Sequence, residues 1–133
     1  MSLYKIMMID DDEEDQWIIR EALKAFDIGD IATYVSNGKD ALSRLDSDYS
    51  KEQHLPRLIV LDLNMPLMNG TATLGKLKAD QRFRNIPVVI YSTSINPFEK
   101  DKCMQLGAQI YITKPISIEE SMRTVEIFLS FCR

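Results

Sequence analysis

The chain has 133 residues, 45% of them hydrophobic and 27% charged, with a formal net charge of −4 at pH 7. This is enough to bury one core of ordinary size, and a single domain over 1–133 with no output domain is expected. With no basic block and no long apolar run, the chain offers nothing to nucleic acid or a membrane, and no signal peptide is expected.

Residues 1–3 are set aside as a cloning remnant. A first apolar run, 4–10, predicts a strand that ends in Asp10-Asp11-Asp12. Asp12, Glu13, Glu14 and Asp15 read as the acidic first turn of a helix, favoured by its dipole. Ile19, Leu23 and Phe26 give that helix an apolar stripe, and Asp27-Ile28-Gly29 stops it. Trp17 in its first turns is read as packing, partly exposed, with no catalytic part.

A second strand is predicted at 31–35, and Asn37-Gly38-Lys39-Asp40 opens a short helix carrying Ala41, Leu42 and Leu45. The stretch 46–57 is polar and predicts a long surface connection available for contacts, with His54, the one histidine, as a solvated loop residue. The third strand, 58–62, ends in Asp62, and a third helix begins near Gly70 or Thr71 with Leu74 and Leu77 inward.

A fourth strand at 87–92 is followed by Asn96-Pro97-Phe98-Glu99, a helix start with its cap, its proline and its acid in order. Gly107 ends that helix, and a fifth strand follows at 109–113. Ser117-Ile118-Glu119-Glu120 has the form of a capping box, opening a last helix with Met122, Val125, Leu129 and Cys132 on one face. Cys103 and Cys132 lack metal-ligand spacing and read as buried or half-buried thiols in a reducing cytoplasm.

Strands alternating with helices predict an α/β fold with a parallel sheet. Carboxylates at the ends of buried strands gather at one sheet edge, where ligands of such folds bind. Massed there, they repel one another unless a cation sits among them, so a hard-metal site with one aspartate left for chemistry is expected.

The loop Asp62-Leu63-Asn64-Met65-Pro66-Leu67-Met68-Asn69-Gly70, the pair Asp10-Asp11, Ser92 and Lys114-Pro115 stand in the order and spacing of a known family. The chain resembles the receiver domain of bacterial two-component response regulators over about 4–131. The resemblance implies a doubly wound, flavodoxin-like sheet of five strands in the order 2-1-3-4-5, with five helices.

It further implies that Asp62 accepts a phosphoryl group from a histidine kinase or histidine phosphotransferase in a phosphorelay. Mg²⁺ would be held by Asp11, Asp62 and the backbone carbonyl of Asn64, with Asp10 acting through water. Lys114, before an X–Pro bond that is usually cis in this family, would reach Asp62 and later the phosphoryl oxygens. Ser92 would give its hydroxyl to a phosphoryl oxygen, and Thr93 and Ser94 beside it blur the register; counting from Pro87 favours Ser92. Tyr111 would be an aromatic switch, rotating into space that Ser92 vacates, with readout to a downstream protein through the fourth helix, fifth strand and fifth helix.

The function so implied is a phosphorylation-dependent cytoplasmic switch, not an enzyme beyond its own phosphorylation and slow dephosphorylation. The chain also resembles the small single-domain regulators that partner bacterial phytochromes. The last helix offers a face for a homodimer. Two alternatives stand beside this reading. One is a degenerate receiver acting as a phosphorylation-independent scaffold. The other is a Mg-dependent phosphohydrolase, which typically has a carboxylate two residues after its nucleophile, where this chain has Asn64.

Overall fold

The computed structural model describes residues 4–51, 54–65 and 68–133. The set-aside residues 1–3, two residues of the predicted connection (52–53) and two of the loop after Asp62 (66–67) lie outside the described residues. Five strands, β1 (Ile6–Ile9), β2 (Ala32–Val35), β3 (Leu58–Leu61), β4 (Val88–Ser92) and β5 (Ile110–Thr113), alternate with five helices. These are α1 (Glu13–Ala25), α2 (Gly38–Ser50), α3 (Gly70–Ala79), α4 (Pro97–Gln105) and α5 (Ile118–Ser130). The sheet is parallel throughout, in the order β2-β1-β3-β4-β5.

The three central strands are apolar at almost every position because both faces of the sheet are covered. Met7, Ile9, Ile59, Leu61, Val88 and Ile90 face α2, α3 and α4, meeting Leu45, Leu74, Leu77 and Cys103. Their neighbours Ile6, Met8, Leu58, Val60, Val89 and Tyr91 face α1 and α5, meeting Ile19, Leu23, Val125 and Phe128. The edge strands β2 and β5 are only half-buried.

The start signals hold. Asn37, Asn96 and Ser117 each accept a backbone N–H of the first turn of the helix they cap, and Asn69, not singled out in the sequence, does the same for α3. Gly107 ends α4 with φ +108, a conformation that favours glycine. After α1 it is Asp27, not Gly29, that takes the left-handed conformation, with φ 65. Aspartate tolerates it better than most side chains.

Two expectations are corrected. The helix opened by Asn37 is not short: α2 runs through Asp46 and Asp48 to Ser50, into the predicted connection. Asp48 is buried and accepts a 2.7 Å hydrogen bond from the Tyr4 hydroxyl, while Arg44 one turn back stands 3.4 Å from it. Asp46 pairs with Arg82. Tertiary partners therefore override the weak helix propensity of this Ser- and Asp-rich segment.

The second correction concerns Lys114–Pro115. No peptide bond is cis among the described residues, so this one is trans, the form X–Pro bonds favour by about 0.5–1 kcal/mol.

Candidate functional site

Register brings the strand-end residues together. Ile9 of β1 pairs with Leu61 of β3, so Asp10 and Asp62, one residue on, lie side by side. The backbone extends the ladder past the strands: Asp62 N–H donates to Ile9 O and Lys114 N–H to Ser92 O. Gly70 closes the loop behind Asp62. A side chain there would run into the Asp62 carbonyl and the Leu63 backbone, so only glycine allows α3 to start so near.

Asp10, Asp11 and Asp62 each offer a carboxylate oxygen, and these oxygens lie within 4.8 Å of one another. Asp11 is exposed, whereas Asp10 and Asp62 are only 1% and 5% exposed. The Asp10 Oδ1 accepts the Asp12 N–H at 2.9 Å. Its Oδ2 is buried with no well-directed hydrogen bond, although the Lys114 ammonium stands 3.0 Å away. Burial pushes the Asp10 carboxyl up to about 6, against the pull of the Asp12 N–H and Lys114. Asp62 is pushed up by burial as well, opposed first by Lys114 and then by the Asn64 N–H, 3.5 Å from Oδ1.

An all-oxygen donor set with a buried, unsatisfied carboxylate oxygen fits a hard divalent cation such as Mg²⁺ or Mn²⁺. The fit rests on Asp10, Asp11 and Asp62, all three of them named from sequence.

Lys114 extends from the end of β5 with its side chain only 9% exposed. Its ammonium stands 2.6 Å from Asp15, 3.0 Å from Asp10 and 3.6 Å from Asp62, and 5.6 Å from the centre of the Tyr91 ring. Burial works against the charge, but the hydrogen bond to Asp15 and the close carboxylates of Asp10 and Asp62 outweigh it and raise the pKa.

Asp15 is the residue that sequence reasoning missed. It sits in the first turn of α1 as expected, yet points across to β5, so its assignment to the helix dipole alone is corrected. Asp12 is the N-cap of α1, accepting from Glu14 N–H and Asp15 N–H, and stays outside the cluster.

Ser92 is buried at the end of β4, and its Oγ accepts the Ser94 N–H at 3.2 Å. Thr93 is exposed. The half-buried Tyr111 packs on the α2–α4 side of the sheet and donates its hydroxyl to Ser94 O at 2.8 Å. Serine and tyrosine are thus joined through the β4–α4 loop. Trp17 is 57% exposed, more than a packing role requires. His54 is exposed, and both cysteines are buried free thiols.

The chain as a whole has known relatives. The family model for the response regulator receiver domain matches residues 6–126. The polar-differentiation response regulator DivK of Brucella anthropi is 30% identical over 124 residues, 93% of this chain and 94% of its own. The structure of the phosphorylated cyanobacterial phytochrome response regulator RcpA superposes with a TM-score of 0.85 at 31% identity, covering 97% of this chain and 93% of that one. The Mn²⁺-bound form of response regulator Rcp1 superposes with a TM-score of 0.81 at 27% identity, covering 96% and 94%. With the fold, the acidic cluster and these matches in agreement, the chain belongs to the response regulator receiver domain family of two-component signalling.

Proposed function

We propose that the chain is a switch thrown by phosphorylation of Asp62, with a histidine kinase or histidine phosphotransferase as donor and a downstream protein as reader. The observation that carries this reading is the Asp62 carboxylate. It sits at the end of β3, beside Asp10 and Asp11 and 3.6 Å from the Lys114 ammonium.

In the transfer, one Asp62 oxygen attacks the phosphorus in line. The O–P bond forms as the P–N bond to the partner's histidine breaks, and the electron pair leaves with the imidazole nitrogen, which takes a proton from water. Phosphoryl transfer asks for positioning and charge neutralisation more than covalent help. Lys114 offers a fixed positive charge to the phosphoryl oxygens. Ser92 holds a hydroxyl proton that its bond from Ser94 does not use, and that proton is what it would give them.

Asp11, Asp62 and the Asn64 carbonyl would hold Mg²⁺, with Asp10 through water; the ion supplies neutralisation of the phosphoryl charge. That one relative is known in a phosphorylated form and another in a Mn²⁺-bound form supports a phosphorylated, metal-binding site in this chain. Ser92 turning toward a phosphoryl group would disturb the Ser94 link, and with it the Tyr111 hydroxyl bond that holds the ring in place. A phytochrome-type kinase is the donor suggested by RcpA.

The test is incubation with acetyl phosphate and Mg²⁺ followed by mass spectrometry of the intact protein. A gain of one phosphoryl group, lost in Asp62→Asn, is expected. No gain with any phosphodonor would remove the proposal.

A further inference from the structure

Lys114 makes its shortest contact with Asp15, not with Asp62 or with the acidic pair. The three carboxylates around the ammonium differ in one respect. Asp10 and Asp62 belong to the cluster suited to a divalent cation; Asp15 does not. A cation in that cluster weakens the hold of Asp10 and Asp62 on Lys114, since their charge is then shared. Asp15 is left as the one undivided anchor. It comes from α1, where the Asp12 cap fixes the first turn, whereas the lysine comes from β5. The 2.6 Å bond is thus a brace between α1 and the end of β5.

We propose that Asp15 is a positioning residue: it holds the Lys114 ammonium short of Asp62, at the place where a phosphoryl oxygen arrives. This rests on the reading of Asp62 as phosphoacceptor. At 3.6 Å the lysine is too far to hydrogen-bond Asp62, so the attacking lone pair stays free. A phosphoryl group on Asp62 extends its oxygens beyond the carboxylate, into reach of an ammonium that need not move. Donors aimed at the position of the developing charge, and not at the resting oxygen, are what lowers such a barrier. Without Asp15 the ammonium falls onto Asp62, blocking the nucleophile, and loses its fixed place.

The test uses Asp15→Asn, which keeps the shape and removes the charge, and Asp15→Glu, which returns the charge. With acetyl phosphate and saturating Mg²⁺, Asp15→Asn is expected to lower the maximal phosphorylation rate about tenfold, with the half-saturating donor concentration little changed. Asp15→Glu is expected to recover part of that rate. Independently of phosphorylation, the Lys114 ammonium resonance of the Mg²⁺-bound protein, seen by ¹⁵N NMR, should broaden through faster exchange in Asp15→Asn.

A rate in Asp15→Asn equal to or above that of the unmodified protein overturns the brace, as does an unchanged lysine resonance. If the unmodified chain itself takes up no phosphoryl group, the phosphoacceptor reading fails and the brace with it. If it does and the variant matches it, only the brace fails.

Discussion

Asp10 carries the largest unresolved electrostatic cost at the site. Its carboxyl is buried, one oxygen has no well-directed hydrogen bond, and its pKa is pushed up to about 6 by that burial. A folded pKa above the ordinary value means that the folded protein holds a proton the unfolded chain has released. The stability from Asp10 is therefore fully present below about pH 4 and lost as pH rises through 6, on the order of 2–3 kcal/mol in the metal-free protein. Denaturant titrations from pH 4 to 7 are expected to show this decline in the unmodified chain relative to Asp10→Asn; parallel curves would refute it. Asp10 and Asp62 were legible in the sequence because each stands where an apolar run stops, and a charge ending a buried strand has few local explanations. Lys114 was legible only through the family resemblance. Asp15 was not legible. An acid in the first turn of a helix is already accounted for by the dipole, and nothing local reveals a lysine 99 residues away.

Among the elements, α2 shows how far local reading reaches. Its start was plain from Asn37, but its second half lost its helical signature because the partners of Asp48 and Asp46, Tyr4 and Arg82, are 44 and 36 residues distant. Tyr4→Phe, which removes the hydroxyl bonded to buried Asp48, should cost about 1–2 kcal/mol and increase hydrogen exchange in the last turn of α2. Unchanged exchange there would show that the turn stands without it. The start of α3 bears directly on the site. Gly70→Ala forces a methyl group against the backbone of Asp62 and Leu63 and should cost about 1–3 kcal/mol while slowing phosphorylation of Asp62. A variant of full stability would mean that the loop relaxes away without penalty.

For the molecule as a whole, the parallel α/β architecture followed from apolar runs alternating with amphipathic ones, and the strand order from the family resemblance. The register that sets Asp10 beside Asp62 follows from β1 and β3 being neighbours. The sheet thus collects like charges at one edge, and its stability and its function pull against each other there. A divalent cation reconciles them: at a hundredfold excess over its dissociation constant, Mg²⁺ should stabilise the folded chain by about 2.7 kcal/mol. Asp11→Asn should weaken that gain, and equal ionic strength from NaCl should not reproduce it. This edge, as proposed, exists to accept a phosphoryl group on Asp62. The most direct measurement is borohydride trapping after incubation with acetyl phosphate and Mg²⁺, followed by peptide sequencing. Conversion of Asp62 alone to homoserine is the expected result. An acyl phosphate trapped on Asp10, Asp11 or Asp15, or on no residue at all, would contradict it.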